Sequence, residues 1–235
     1  METNSSLRTD ILKNTGYKIL QDENRFCFGK DAVLLAEFAS SAISKNSRAV
    51  DLGAGNGIVS LLMCDEAQKN FSENTCRFEG LEIQKESWEL AQKSVELNGL
   101  TEKISIIQGD IKKVQEIFEK NSCDIVTSNP PYKISGTGRE NPESAKLIAR
   151  HEILCNLDDV VKAAAFLLKD KGSFFMIHRP ERIADILNSL SRHKLKLKSL
   201  QFLQPAMDKA PTMVLIEARR TGNFQPVVLP ARIIN

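Results

Sequence analysis

The sequence predicts a doubly wound α/β fold built on a mostly parallel sheet of seven strands. The main observation is an alternation along the chain, in which short apolar runs rich in β-branched residues are followed by longer segments with helical periodicity. The second is size, because 235 residues with 42% hydrophobic content can bury one sizeable core. One large domain is therefore expected, with an antiparallel strand near its C-terminal end.

The N-terminal part is expected to add a hairpin and a helix to this domain. Residues 16–20 and 25–28 are two short extended pieces around a polar turn, which predicts a hairpin. Asp31 is then expected to act as the N-cap of an apolar helix over residues 32–43. Together, residues 1–45 form a predicted extension that packs on the main domain.

The main domain is predicted to span residues 46–220, before a tail over residues 221–235 that shows no periodicity. Its strands are expected at residues 48–52, 76–83, 104–108, 123–128, 173–177, 195–203 and 212–218. Its helices are expected at residues 58–67, 84–98, 158–169 and 180–193, with a further helix after the third strand. The last two strands are joined by a short loop, which predicts an antiparallel pair. A spatial order of 3-2-1-4-5 for the first five strands would make the first and fourth neighbours and put the ligand site at their carboxyl ends.

Composition and charge argue against several classes of protein. The chain carries 32 Lys plus Arg against 30 Asp plus Glu, so its net charge of +2 gives no global signature of a nucleic-acid-binding protein. The five cysteines are scattered without a C-x-x-C pair, and the three histidines have no metal-ligand spacing. Residues 1–14 lack the apolar core of a signal peptide, and no apolar run reaches the length of a membrane span. We therefore expect a cytoplasmic protein with no metal and no membrane partner.

A glycine-rich turn follows the first strand of the main domain and predicts the cofactor site. Glycines at alternate positions let the backbone turn tightly and let a ligand approach the amides at a helix N-terminus. The turn comprises Gly53, Ala54, Gly55, Asn56 and Gly57. A dinucleotide site would show a similar turn, but Asp51 lies where it would repel a pyrophosphate and attract the ammonium of a methionine moiety. This favours S-adenosylmethionine over NAD.

Two further acidic residues lie at the ends of the next two strands. Glu82, followed by Ile83, is placed to accept hydrogen bonds from both hydroxyls of a ribose, and an ordinary strand-end charge is the alternative. Asp110 would take the exocyclic amine of an adenine while Ile111 packs on the ring. The alternative for Asp110 is the N-cap of the following helix. Acidic or glycine features at successive strand ends favour a nucleotide-like cofactor.

The tetrapeptide Asn129-Pro130-Pro131-Tyr132 follows the fourth strand and is the predicted catalytic motif. Neither proline offers a backbone N–H, and each biases the preceding residue away from the helical region, so the chain is stiff where it leaves the sheet. The turn presents an amide, a carbonyl and an aromatic face to whatever lies in front of the strand. A stiff turn without chemistry is the alternative. The predicted strand order favours a catalytic role, because it sets the motif beside the glycine turn.

With these residues in place, the chain resembles the class I S-adenosylmethionine-dependent methyltransferases, which have a Rossmann-like fold. More narrowly, it is similar to the bacterial tRNA1(Val) adenine-N6 methyltransferase family, which acts on adenosine 37 of the anticodon loop. The likeness is carried by residues 28–35, 51–57, 81–84 and 129–132, with 149–152 and 178–182 also similar. It covers roughly residues 16–220. Lys30 departs from the small polar residue that is more common in that family.

The resemblance implies methyl transfer from S-adenosylmethionine to the exocyclic N6 of an adenine in RNA, with adenosine 37 of a tRNA(Val) as the expected target. Asn129 and Pro130 would accept the hydrogens of the amine, and Tyr132 would stack on the base. The catalytic residues are then Asn129, Pro130, Pro131 and Tyr132. The cofactor-binding residues are Phe28, Gly29, Asp31, Asp51, Gly53, Ala54, Gly55, Asn56, Gly57, Glu82, Ile83, Asp110, Ile111 and Asn129.

Basic residues near the tetrapeptide suggest a tRNA partner. The loop after it carries a candidate phosphate clamp, formed by Lys133, Arg139, Lys146 and Arg150, and a solvated loop with ordinary charges is the alternative. Three lysines in and before one late strand are a candidate extension of the patch or a solubility feature of an edge strand, namely Lys194, Lys196 and Lys198. We expect the protein to act as a monomer.

Three other functions stay open. Two are methylation of a protein glutamine amide and of guanine N2 in ribosomal RNA, because those enzymes carry the same tetrapeptide or a near variant. The chain lacks the long N-terminal helical domain of the glutamine methyltransferases. The third is a non-catalytic RNA-binding protein that retains the cofactor fold, against which the intact tetrapeptide argues.

Overall fold

The computed structural model describes residues 7–13, 15–23, 27–72, 75–130 and 155–234. The strands in these ranges are β1 Leu7–Ile11, β2 Lys18–Asp22, β3 Arg48–Leu52, β4 Arg77–Glu82, β5 Ile104–Gln108, β6 Cys123–Ser128, β7 Leu168–His178, β8 Lys196–Gln204, β9 Met213–Arg219 and β10 Val227–Ile233. The α-helices are α1 Lys30–Ser40, α2 Ile58–Asn70, α3 Lys85–Leu97, α4 Val114–Ile117, α5 Leu157–Leu167 and α6 Ile183–Arg192, with 3₁₀ turns at Ile111–Lys113 and Pro180–Arg182. None of the helices in the described part of the chain is long and apolar enough to cross a membrane.

Eight of these strands form one sheet in the order β10-β8-β9-β7-β6-β3-β4-β5, and β1 and β2 form a separate hairpin. Within the sheet, β9 is antiparallel to its neighbours β7 and β8, and the other pairings between the described strands are parallel. The succession β5-β4-β3-β6-β7 has the predicted order 3-2-1-4-5, so this prediction is confirmed. The antiparallel arrangement of the last two predicted strands is also confirmed.

The C-terminal residues contain a strand that the sequence does not predict. Val227–Ile233 forms β10, which pairs in parallel with β8 and makes the sheet eight strands wide rather than seven. Pro230 and a register shift between Leu229 and Arg232 break the alternation expected of a strand, so no periodicity is visible in the sequence. The domain boundaries at 1–45, 46–220 and 221–235 stay a prediction.

The N-terminal hairpin is present, but its strands are not the predicted pair. Lys18–Asp22 pairs with Leu7–Ile11, in a register that sets Arg8 opposite Gln21. The sequence predicts the partner at residues 25–28 instead, of which 25 and 26 lie outside the described residues. Because β1 is largely exposed and three of its five residues are polar, it carries almost no apolar periodicity.

The hairpin is held on the main domain by side chains of α3 and of its C-cap residue, Asn98. The backbone N–H of Leu20 donates to Ser94 Oγ at 3.0 Å, and that of Lys18 donates to Asn98 Oδ1 at 2.8 Å. The side-chain Nδ2 of Asn98 donates a hydrogen bond to the Lys18 carbonyl at 2.7 Å. These bonds satisfy backbone groups of β2 that would otherwise need water or another strand. The hairpin is therefore fixed on the helix that follows Glu82.

The helix α1 starts differently from its prediction. It begins at Lys30 with Gly29 as the N-cap, so the prediction of Asp31 as N-cap is wrong. Asp31 lies in the first turn, where its Oδ1 accepts the N–H of Ala32 at 2.9 Å. A carboxylate in the first turn interacts favourably with the helix dipole, so the acidic residue still suits this end of the helix.

Apolar side chains cover both faces of the sheet. In β7, Phe175 and Ile177 join the core beneath α1 and α2, whereas Phe174 and Met176 join the core beneath α5 and α6. All four side chains are fully buried. A sheet with helices on both faces requires this arrangement, so the predicted doubly wound fold is confirmed.

Gly80 in β4 lets the glycine-rich turn after β3 lie close to the sheet. A Cβ at this position would be 2.8 Å from the Cβ of Ala54 and 2.9 Å from the Cδ1 of Ile106. Carbon atoms do not pack that closely, so a larger residue must displace the turn or the isoleucine. The glycine is therefore a packing requirement of the turn.

We predict that Gly80→Ala lowers the free energy of unfolding by about 1–3 kcal/mol, because overpacking forces neighbouring groups apart. The measurement is the midpoint and slope of urea unfolding. Ser105→Ala, at an exposed position of the adjacent β5, is the matched control and should leave the midpoint unchanged. A wild-type midpoint in Gly80→Ala would show that the turn moves without cost.

Candidate functional site

The glycine-rich turn and the tetrapeptide leave the sheet side by side. The strands β3 and β6 are parallel neighbours, and Leu52 pairs with Ser128 at their ends. Ser128 Oγ donates to the Leu52 carbonyl at 2.8 Å, which fastens the two strand ends together. Gly53 and Asn129 are therefore the first residues beyond adjacent strands. The predicted neighbourhood of the two motifs is observed.

The turn from Gly53 to Gly57 has an open space in front of it. Its three glycines have φ angles of 79°, 55° and 84°, which residues with a side chain rarely adopt. A Cβ built on Gly53 or Gly55 meets no atom within 4 Å. Because α2 begins directly after Gly57, ligand atoms in this space would face backbone amides at a helix N-terminus.

Asp51 is a buried carboxyl at the base of this space. Its side chain is 4% exposed, and Oδ1 accepts the hydroxyl of Thr127 at 2.7 Å. The pKa of Asp51 is raised to about 7, mainly by burial; the hydrogen bond from Thr127 opposes this shift, and the nearby Glu82 carboxylate adds to it. A ligand cation at this position would favour the ionised form.

Glu82 supports the backbone of the glycine turn. It is 5% exposed, and its Oε2 accepts the N–H of Gly55 at 2.8 Å while Oε1 accepts the N–H of Gln84 at 2.8 Å. Each carboxylate oxygen can accept a second hydrogen bond, so the predicted contact with a ribose is compatible with this geometry. The sequence identifies the residue but not its contact with the turn.

Asp110 caps the 3₁₀ turn that follows β5. Its Oδ1 accepts the N–H of Lys112 at 2.9 Å, so the alternative reading as an N-cap is confirmed. The preceding Gly109 donates its N–H to the Glu82 carbonyl at 3.0 Å, which holds this turn against the end of β4. Ile83 and Ile111 are both half-buried at these strand ends. Their contacts with an adenine stay a prediction.

The tetrapeptide is described only in its first half. Asn129 and Pro130 are half-buried at the carboxyl end of β6. The other predicted catalytic and RNA-binding residues lie outside the described residues, namely Pro131, Tyr132, Lys133, Arg139, Lys146 and Arg150. Their roles stay predictions.

The predicted N-terminal cofactor residues lie in the segment that enters α1. Phe28 is half-buried against the core beneath α1 and α2, and its N–H donates to the Oε1 atom of Gln21 at 3.0 Å. The same oxygen lies 3.4 Å from Nδ2 of Asn56, within the glycine turn. This segment, including Gly29 and Asp31, is thus connected to the turn through Gln21. In the sequence, Gln21 has the pattern of a polar turn, and this contact is not predicted.

The lysines near β8 do not extend a basic patch toward this site. β8 runs in the same direction as β6, so its first residue, Lys196, lies at the amino edge of the sheet, opposite the carboxyl edge where Asn129 lies. Lys198 pairs with the buried Glu217 at 3.0 Å, and Lys194 lies in the turn before the strand. Of the two readings of these three lysines, the extension of the basic patch is therefore wrong, because alternation along a strand does not reveal at which end of the sheet a residue lies.

The described residues fit S-adenosylmethionine. The space before Gly53 and Gly55 would admit the methionine part, and the carboxyl of Asp51 suits its ammonium. Glu82 and Asp110 supply acceptors for hydroxyl and amine hydrogens at the next two strand ends. Carboxyls at three successive strand ends match a cationic ligand better than they match a pyrophosphate.

Comparison with known proteins agrees with this site. Residues 43–216 match the family described as "Methyltransferase domain". A tRNA1(Val) (adenine(37)-N6)-methyltransferase from Porphyromonas gingivalis (strain ATCC 33277) is 26% identical over 215 residues, covering 90% of this chain and 81% of that protein. One of the same name from Escherichia fergusonii is 27% identical over 192 residues, covering 79% and 74%. The structure of a predicted O-methyltransferase from Agrobacterium tumefaciens is similar, with a TM-score of 0.67 at 18% identity over 86% of each chain.

The family match covers most of the chain, and the similar structure has the same fold. The resemblance to the tRNA1(Val) adenine-N6 methyltransferases is confirmed, because the relatives carry that name. The cofactor predicted from the strand-end motifs, S-adenosylmethionine, is confirmed. The methyltransferase activity that the resemblance implies is confirmed as well. The chain therefore belongs to the methyltransferase domain family.

Proposed function

We propose that the enzyme methylates the exocyclic N6 of an adenine in tRNA, with adenosine 37 in the anticodon loop of a tRNA(Val) as its target. The observation that carries this proposal is the position of Asn129 and Pro130 beside the glycine turn, at the ends of two paired strands. The names of the relatives support the same substrate. We expect the enzyme to work in the cytoplasm and as a monomer.

Two acceptors at the end of β6 suit an exocyclic amine. Bound S-adenosylmethionine supplies a methyl group on a positively charged sulfur. An aryl amine is a weak nucleophile, because its lone pair is delocalised into the ring. The side-chain oxygen of Asn129 and the carbonyl of Pro130 would accept the two amine hydrogens, which favours a tetrahedral nitrogen with its lone pair directed at the methyl group. No strong base is needed, since the surplus proton can leave to water.

An unpaired loop base is the substrate that this arrangement suits best. The amine must reach a strand end, which a base can do only when it is outside a helical stack. A loop base costs less to extrude than a paired base. From the sequence, Tyr132 would stack on the extruded base, and Lys133, Arg139, Lys146 and Arg150 would contact phosphates.

Each of the three strand ends, of β3, β4 and β5, would contact a different part of S-adenosylmethionine. Asp51 would face the ammonium, Glu82 the ribose hydroxyls, and Asp110 with Ile111 the adenine. The turn would bring backbone amides to the methionine part. The remaining proposed contacts are Phe28, Gly29, Asp31, Gly53, Ala54, Gly55, Asn56, Gly57, Ile83 and Asn129.

We predict that Asn129→Ala lowers the rate of methyl transfer by about 10²–10³-fold, the usual effect of removing one positioned polar group from an active site. Binding of S-adenosylhomocysteine, measured by calorimetry, should weaken by less than about fivefold, because Asn129 is one of many proposed cofactor contacts and Asp51 and the turn are untouched. Asn223→Ala, at an exposed position near the C-terminus, is the control. Wild-type activity in Asn129→Ala would show that Asn129 is not a catalytic residue.

The substrate is tested with tritium-labelled S-adenosylmethionine and three acceptors: total tRNA, ribosomal RNA and release factors. We expect label in tRNA, as N6-methyladenosine after digestion to nucleosides. A tRNA(Val) transcript with adenosine 37 replaced by guanosine should lose the label, because the 6-oxo group of guanine has no hydrogens for two acceptors. Label confined to protein, or to guanine of ribosomal RNA, would assign one of the alternative activities.

We predict that cofactor affinity rises with pH through about 7. The folded pKa of Asp51 is about 7 and lies above its ordinary value of 3.8, so the free enzyme holds this carboxyl protonated at lower pH. The ionised form, which attracts the ammonium, becomes dominant above that value, and the Kd of S-adenosylhomocysteine should fall about tenfold between pH 6 and pH 8. Asp51→Asn should flatten this dependence. An equally steep profile in that variant would assign the effect to another group.

The same pKa shift predicts the opposite trend for stability of the free enzyme. A carboxyl whose pKa is raised by folding favours the folded state while it is protonated, so its contribution is lost as the pH rises from about 4 to about 7. Urea midpoints measured across this window should fall less in Asp51→Asn than in the wild type. Parallel profiles would contradict the assignment.

A further inference from the structure

We propose that Gln21 is a positioning residue of the cofactor site, acting through Asn56 and through the segment that enters α1. Gln21 lies in β2 of the N-terminal hairpin, and its side chain is 2% exposed. It is not adjacent in sequence to any predicted cofactor residue. Its contacts nevertheless join the hairpin to the glycine turn and to the segment that enters α1.

The Gln21 amide is used as an acceptor and as a donor. Its Oε1 accepts the backbone N–H of Phe28 at 3.0 Å and lies 3.4 Å from Nδ2 of Asn56, while its Nε2 donates to Oδ2 of Asp10. A glutamine suits this position because its side chain carries both an oxygen that can accept two hydrogen bonds and a nitrogen that can donate to a carboxylate. A glutamate would place a second carboxylate against Asp10, and a methionine would leave buried donors without a partner.

Asn56 carries the effect of Gln21 into the cofactor turn. It is a buried residue that lies between Gly55 and Gly57, both of which have positive φ angles. Glycines in such conformations have many alternatives, so the turn must be held by its surroundings. Glu82 holds it on one side through the N–H of Gly55, and Gln21 holds it on another through the side chain of Asn56.

The hairpin gives Gln21 a fixed support. Leu20, next to Gln21 in β2, donates its N–H to Ser94 of α3, and Lys18 of the same strand is hydrogen-bonded to Asn98, the C-cap of α3. Ile19, two residues before Gln21, is fully buried in the core beneath α1 and α2. Gln21 therefore presents its oxygen to Asn56 and Phe28 from a strand that is anchored independently of both. The hairpin thus contributes to cofactor binding without supplying a cofactor contact.

The test measures binding of S-adenosylhomocysteine by calorimetry and needs no methyl acceptor, so it is independent of the proposed RNA substrate. In Gln21→Met, we expect the Kd to rise about tenfold or more, since the buried amide of Asn56 and the partly buried N–H of Phe28 each lose an acceptor. Gln201→Met is the matched control, because Gln201 also lies in a strand and donates to a carbonyl, but far from the turn in sheet order. It should leave the Kd unchanged.

A second substitution that restores binding distinguishes a positioning role of Gln21 from a general loss of packing. Gln21→Glu alone sets two carboxylates together and should weaken binding at least as much as Gln21→Met. The double variant Gln21→Glu/Asp10→Asn moves the amide donor to position 10 and keeps the acceptor for Phe28 and Asn56, so its Kd should return to within about threefold of wild type. Asp10 is partly exposed and its pairing with Arg8 is a surface contact, so its replacement should not prevent folding.

Two outcomes would overturn the proposal. One is a wild-type Kd in folded Gln21→Met, with only the urea midpoint lowered, which would make Gln21 a structural residue. The other is a double variant that binds as weakly as Gln21→Glu, which would show that the hydrogen-bond pattern is not what matters. If Gln21→Met does not fold, the Gln21→Glu and double-variant pair decides alone.

Discussion

The parallel pairing of β3 with β6 is the contact on which the whole site depends. It sets Asp51 opposite Thr127 and Leu52 opposite Ser128, so the two strands end at the same level. Two side-chain hydrogen bonds cross between them at these last positions. Because side chains alternate between the two faces, a shift by one residue would move Asp51 into the opposite core. The register therefore decides which group lies beneath the glycine turn.

The turn depends on its neighbours because its own residues do little to fix it. Its glycines allow the conformation but also leave the unfolded chain with more freedom to lose on folding. Three consecutive residues of β4 restrict it: Gly80 lets it approach the sheet, the Leu81 carbonyl accepts two of its N–H groups, and the Glu82 carboxylate accepts one more. The glycine turn, which could adopt many conformations by itself, is thus held in one conformation by the neighbouring strand.

The features predicted from the sequence are those with a local signature. The glycine turn and the strand-end carboxyls follow from short patterns that depend on neighbours in the chain. The order of the first five strands of the main domain follows instead from the rules for sheets with alternating strands and helices. The N-cap role of Asp110 is also local, since it depends on residues within the same turn.

What the sequence does not reveal depends on contacts between distant residues. Gln21 and Asn56 are 35 positions apart, and a polar residue before a polar segment has the pattern of a turn. The first hairpin strand is hidden because its outward residues are polar, and β10 because a proline interrupts it. The wrong assignment of the lysines near β8 has a related cause, since sheet position is a property of topology rather than of alternation.

The strand β10 also has a consequence for how molecules of this protein meet one another. Without it, β8 would be the outermost strand and would present unpaired backbone groups to any other extended chain. β10 covers these groups, and its own outer edge is poorly suited to continue the sheet, because Pro230 has no N–H to donate and the register shift disturbs the spacing of its neighbours. The chain thus ends its sheet with a strand that discourages aggregation, although Val227 and Val228 are exposed on it.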